Sequence, residues 1–145
     1  MRAVDPMLRA LARRVVDHEL AAASRDLPAA GDRVLARLGE ILSGLIGPAG
    51  LRALVLRSIH LTRAEHPWIS PRDGEGEAVI ALDDLRASVS REGEDGVREG
   101  IVALVANLVD LLCTFIGRGM TVRLVQRAWP LLSLQGLQLE TETDR

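Results

Sequence analysis

His60, Glu65 and His66 are the residues of this chain that come closest to a metal or acid/base set. A separation of six places two residues on opposite sides of a helix. Pro67 disfavours helical backbone at His66, so the three side chains have no common direction, and they are expected to be solvated or structurally bonded. His18 lies between Asp17 and Glu19 and four residues after Arg14, on a face expected to be solvated. Asp73, Glu75, Glu77 and Asp84 occupy the first, third, fifth and twelfth positions of a calcium-loop count, with Ile80 at the eighth. Ala78 stands where that loop's sharp turn needs glycine, and Asp84 is shorter than the Glu that gives bidentate ligation. This stretch therefore reads as a solvated acidic loop. Cys113, within Leu111-Leu112-Cys113-Thr114-Phe115, has no histidine nearby in sequence to lower its pKa and reads as a small core residue. The glycines of Ile46-Gly47-Pro48-Ala49-Gly50 follow a helix pattern and lack a Gly-Lys-Ser/Thr, so they are turn glycines rather than a phosphate cradle. No catalytic residue, cofactor or metal is expected.

Composition narrows the chemistry further. All 18 basic residues are arginine, tyrosine is absent, and Phe115, Trp68 and Trp129 are the aromatic residues. Lysine Schiff bases, tyrosine acid/base roles and aromatic stacking platforms are thereby excluded. One cysteine cannot form an intramolecular disulfide or a multi-thiolate metal site. With 48% hydrophobic and 26% charged residues, the 145-residue chain can bury one core. Its net charge of −2 offers no overall attraction to nucleic acid or anionic lipid. Arg52, Arg57 and Arg63 interrupt the most apolar segment of the first half, so no membrane span is expected. Asp5 and Pro6 stand where a signal peptide would be apolar, which makes a cytoplasmic location the expectation.

The elements that would position these residues are helical. Asp5-Pro6 caps a first helix of about 6–24, with Leu8, Leu11, Ala12, Val15 and Ala22 near helical spacing. Asp26 to Gly31 reads as a break, followed by a helix with Val34, Leu35, Leu38, Ile41, Leu42 and Leu45 on one face, stopping at Ile46-Gly47. Pro48 opens a third helix to about Glu65, and residues 66–77 form the main loop. A short helix at 81–90, a polar break at Ser90 to Gly96, a long central helix from Asp95 to Ile116 and a last helix to Trp129 complete the pattern. The long helix's apolar arc runs from Val97 to Phe115.

Residues 34–59 align without gaps on 104–129. The alignment pairs Ala36 with Ala106, Leu38 with Leu108, Leu42 with Leu112 and Ile46-Gly47 with Ile116-Gly117. Leu54-Val55 then falls on Leu124-Val125, and Arg57 on Arg127. This suggests two copies of a helix, glycine turn, helix unit, each burying the other's apolar face. The expected fold is an all-α bundle of five to six helices with two pseudo-repeated hairpins, about 31–65 and 95–129, in a single domain over 1–139 with a frayed tail at 140–145.

Leu56 and Ile59 lie off the core stripe of the third helix, flanked by Arg52 and Arg63, and Val122 and Trp129 occupy the matching side of the last helix. Apolar area rimmed by arginine is what a subunit or partner contact requires, which makes Arg52, Leu56, Ile59, Val122 and Trp129 the expected interface. Coverage of this surface by the first helix or the tail within one chain is the competing reading. A DNA-binding helix-turn-helix built on Arg52, Arg57 and Arg63 or on Arg118, Arg123 and Arg127 is disfavoured by the acidic net charge. The functional expectation is a non-catalytic, self-associating interaction or regulatory module with a homo-oligomeric or protein partner. A sensor or carrier of a small apolar ligand in the bundle core is the alternative.

Overall fold

The computed structural model describes residues 4–70 and 82–132, with side chains from residue 85 in the second stretch. Four helices account for most of these residues: α1 (Pro6–Ala22), α2 (Leu27–Thr62), α3 (Leu82–Ile116) and α4 (Arg118–Ala128). No strand occurs among the described residues. The fold is all-α.

Four helices are fewer than the five or six expected, because the breaks expected at Ile46-Gly47 and at 90–96 are kinks, at Gly47 within α2 and at Gly93 within α3, while the break expected at 26–31 falls at 23–26, between α1 and α2. Asp26 begins α2 rather than ending a pattern: its carboxylate accepts from the Ala29 amide at 3.3 Å, and Pro28 sits in the first turn where its missing N–H costs nothing. Gly31 remains helical because it is a packing position; a Cβ there would stand 3.1 Å from Ile101 Cδ1. The polar stretch from Ser90 to Gly96 is likewise helical apart from one residue. Local polarity does not end a helix whose apolar flanks, Leu85 and Val97, are both buried in the same core.

Both long helices are kinked at glycine. Gly47 in α2 has φ 80° and ψ 163°, Gly93 in α3 has φ 83° and ψ 159°, and Gly117, between α3 and α4, has φ 89° and ψ 157°. This region of backbone space is essentially closed to residues with a Cβ. Space around a Cβ at Gly117 is open, so the cost of substitution there is conformational alone. Gly117→Ala is expected to lower stability by about 1–3 kcal/mol, read as a lower urea midpoint with an unchanged slope.

The central position expected for the long helix is observed. α3 packs against α1, α2 and α4, and every residue from Ile101 to Val109 is buried. α1 runs antiparallel to the second half of α3, with ion pairs Arg13–Glu99, Arg98–Asp17 and Arg118–Asp5 along the seam. Beyond α2, Trp68 and Ile69 fold back over Gly100, where an added Cβ would overlap the indole ring. The calcium-loop count at 73–84, most of the 66–77 loop and the 140–145 tail lie outside the described side chains.

Candidate functional site

The densest polar arrangement in the interior is built on Glu19. This residue continues the apolar stripe of α1 at Leu8, Leu11, Ala12 and Val15, four positions beyond Val15, so the helix geometry that buries those residues buries the carboxylate as well. Two residues one turn apart on α2 meet it: Arg33 Nε lies 2.8 Å from Oε1, and Arg37 Nε lies 2.7 Å from Oε2. The buried Trp129 indole donates to Oε2 at 2.6 Å, and Arg37 also donates to the Ala128 carbonyl at 3.2 Å. Burial raises the Glu19 pKa, but donation from Arg33 and Trp129 and the charges of Arg37 and Arg33 outweigh it, holding the carboxyl below its ordinary value. An ionised carboxylate saturated by three donors cannot serve as a general base or nucleophile. It ties α1, α2 and the end of α4 together.

A second buried chain links α3 to α2. Asn107 Nδ2 donates to Thr62 Oγ1 at 2.9 Å, Thr62 donates to the Ser58 carbonyl, and Ser58 donates to the Leu54 carbonyl. Asn107 is buried, and this partner satisfies its amide. No buried side-chain polar atom among the described residues lacks a partner.

The other candidates do not converge. His60 and Glu65 are exposed, while His66 stands edge-on to Trp68 with ring centroids 6.3 Å apart. No group of three or more metal-ligating side chains occurs among the described residues. Cys113 is half-buried, and burial pushes its thiol pKa up, away from nucleophilic reactivity.

Acid should unfold the protein through its paired carboxylates. Hydrogen bonds from Arg118 to Asp5, Arg86 to Asp26 and Arg13 to Glu99 lower those three pKa values, alongside Glu19. A group whose folded pKa is depressed contributes stability above its unfolded pKa and loses it as pH falls through the folded value. The melting temperature is therefore expected to hold near neutrality and to fall below about pH 4, with a shallower acid limb in Glu19→Gln. Thermal melts across that range test this.

Three of the five expected interface residues belong to the core of a single chain. Ile59, Val122 and Trp129 are each 2% exposed or less, whereas Arg52 and Leu56 are half-buried. Trp129 is held inward by Glu19, a partner on α1 that helical periodicity of α4 does not reveal. Conversely, Leu45 and Phe115, expected on core faces, are 51% and 71% exposed, and Met120 is 44% exposed. Each lies within three residues of Gly47 or Gly117, where the helical backbone is interrupted.

Two helices, Leu27–Thr62 and Leu85–Ile116, are long and apolar enough to cross a membrane by length and composition. The apolar window of the second is 61% buried, as a core helix requires; that of the first is only 17% buried. An apolar cavity lined by Gly31, Leu35, Ile69, Leu85, Ile101, Leu104 and Val105 measures about 10 Å³, at most the space of one water. The chain matches no protein-family model, no curated protein and no solved structure.

The legible signal for the Glu19 cluster was an acid on an apolar stripe with arginines four apart on the next helix. Locally Glu19 stands beside His18 among charged residues, and its partners Arg33 and Arg37 lie on another helix.

Proposed function

We propose that the chain is a non-catalytic cytoplasmic interaction or regulatory module that self-associates through the apolar surface of α2 around Gly47. The observation that carries this reading is the contrast between the apolarity of that stretch and its 17% burial. Residues 41–51 contain no charge, and Ile41, Leu45, Ile46 and Leu51 remain wholly or partly exposed there. Arg52 and Leu56 continue the strip along α2. Apolar area left uncovered by its own chain gains free energy when a second copy removes it from water.

The same reading treats the bundle as five to six helical segments built from two pseudo-equivalent hairpins. Gly31 packs on Ile101, seventy positions away, and both members are buried in the pairs Leu38/Leu108, Leu42/Leu112, Leu54/Leu124 and Ile59/Trp129. The exposed Leu45 and Phe115 are also such a pair. Gly93 shares the backbone angles of Gly47 and Gly117 without belonging to the repeat, so the packing pairs rather than the angles support duplication. The alternative, an apolar-ligand carrier, finds no support in a cavity of about 10 Å³.

Native mass spectrometry and sedimentation of the wild type and of Leu45→Asp test self-association. The expected result is a dimer or larger species of the 15.7 kDa chain that dissociates in the variant while helical circular dichroism is retained. A wild type that stays monomeric up to its solubility limit defeats the proposal.

A further inference from the structure

A different face carries its own signal. From Leu111 to Leu139 the chain contains no aspartate or glutamate, although it has 20 acidic residues in all. α4 lies within this stretch and buries Thr121, Val122, Leu124, Val125 and Ala128. Its solvent side presents Met120, Arg123 and Arg127, spaced three and four apart and therefore on one face. Phe115 stands before the helix at 71% exposure, and Leu131 follows it at 89%. Neither Arg123 nor Arg127 has an ion-pair partner among the described residues.

We infer that the outer face of α4, with Phe115 and Leu131 at its two ends, binds the surface of an anionic phospholipid membrane. Two arginines on one face with Met120, between exposed Phe115 and Leu131 at the ends of the helix, match the chemistry of that surface: guanidinium groups meet lipid phosphates, and the apolar groups enter the acyl boundary. The charge that matters is local. A whole-chain value of −2 conceals acids concentrated elsewhere, including Asp73, Glu75, Glu77, Asp83 and Asp84, and a strip of α4 that is purely basic. Nucleic acid would also attract the arginines, but it gives no reason for Phe115, Met120 and Leu131 to be exposed beside them, and one short helix offers no extended basic groove. The contact is peripheral, because α4 spans only 11 residues and its other face is committed to the bundle core. This inference does not depend on self-association through α2.

The test is flotation of the full chain with vesicles of phosphatidylcholine alone and of phosphatidylcholine mixed with phosphatidylglycerol, at low and raised salt. Recovery is expected with the anionic vesicles only and should fall as salt increases. Replacing both arginines, as Arg123→Gln with Arg127→Gln, is expected to weaken binding roughly tenfold to thirtyfold. Phe115→Ser should weaken it at low salt too, with circular dichroism unchanged because the side chain is exposed. Absence of recovery with the anionic vesicles overturns the inference, as does recovery unaffected by the arginine substitutions. Binding that ignores Phe115→Ser but is competed away by duplex DNA would reassign the strip to a polyanion. A change in oligomeric state in the arginine variant, without vesicle binding by the wild type, would make this face a subunit contact.

Discussion

Glu19→Ala is expected to destabilise the protein by about 3–4 kcal/mol, shifting the urea midpoint sharply downward. The magnitude follows from what the carboxylate holds. Removing one member of a buried ionic arrangement ordinarily costs about 3–5 kcal/mol, because the remaining charges lose their counterion without regaining water. Arg33 and Arg37 are each 44% exposed, so both guanidinium groups can recover part of their hydration, which moves the expectation toward the lower end. The Trp129 indole cannot, since it is buried and its N–H would be left without an acceptor. Glu19→Gln, which keeps an oxygen for that donor, should lose about half as much. The sharper test is a double-mutant cycle of Glu19→Ala with Trp129→Phe. The two losses are expected to fall short of additivity, because each removes the same hydrogen bond. Additive losses would mean that the carboxylate acts mainly through the arginines.

Ile59→Asp is expected to abolish the folded state rather than change an assembly. Ile59 is 1% exposed and belongs to the hydrophobic core, so a carboxylate there would be buried. The cost includes the lost transfer free energy of the aliphatic side chain and the desolvation of a charge, together above about 4 kcal/mol and comparable with the whole stability of a domain this size. Trp129→Ala should act in the same direction at about 3–5 kcal/mol, since it empties a large core volume and orphans Glu19 Oε2 from one donor. Both variants are read by circular dichroism and urea melts beside Leu45→Asp, which alters an exposed position and is expected to stay folded. If Ile59→Asp kept native helical content and only dissociated an oligomer, this packing of α2 on the core would be refuted.

These residues also show how far helical periodicity reaches. The spacing of Leu8, Leu11, Ala12 and Val15 located α1 and its buried face, and Asp5-Pro6 located its start. The two Ile-Gly pairs located the kink in α2 and the boundary between α3 and α4, because glycine alone tolerates the observed backbone angles at 47 and 117. The break expected at 26–31 lies a few residues earlier, between Ala22 and Leu27, and the one expected at 90–96 is a kink at Gly93. A cap and a single kink leave the helices on either side bound to one core, and that binding is a property of the assembled bundle.

By itself, then, the amino-acid sequence determined that this chain is all-helical, which faces are broadly apolar, where it turns and which chemistries its composition lacks. Each is written in spacing and residue type within a few turns of chain. The tertiary structure alone decided that Trp129, Ile59 and Val122 are interior, that Phe115 and Leu45 are exposed, and that Glu19 can be buried. Those outcomes depend on which helix covers which stripe, and they require groups as distant in sequence as Glu19 and Trp129 to meet at 2.6 Å.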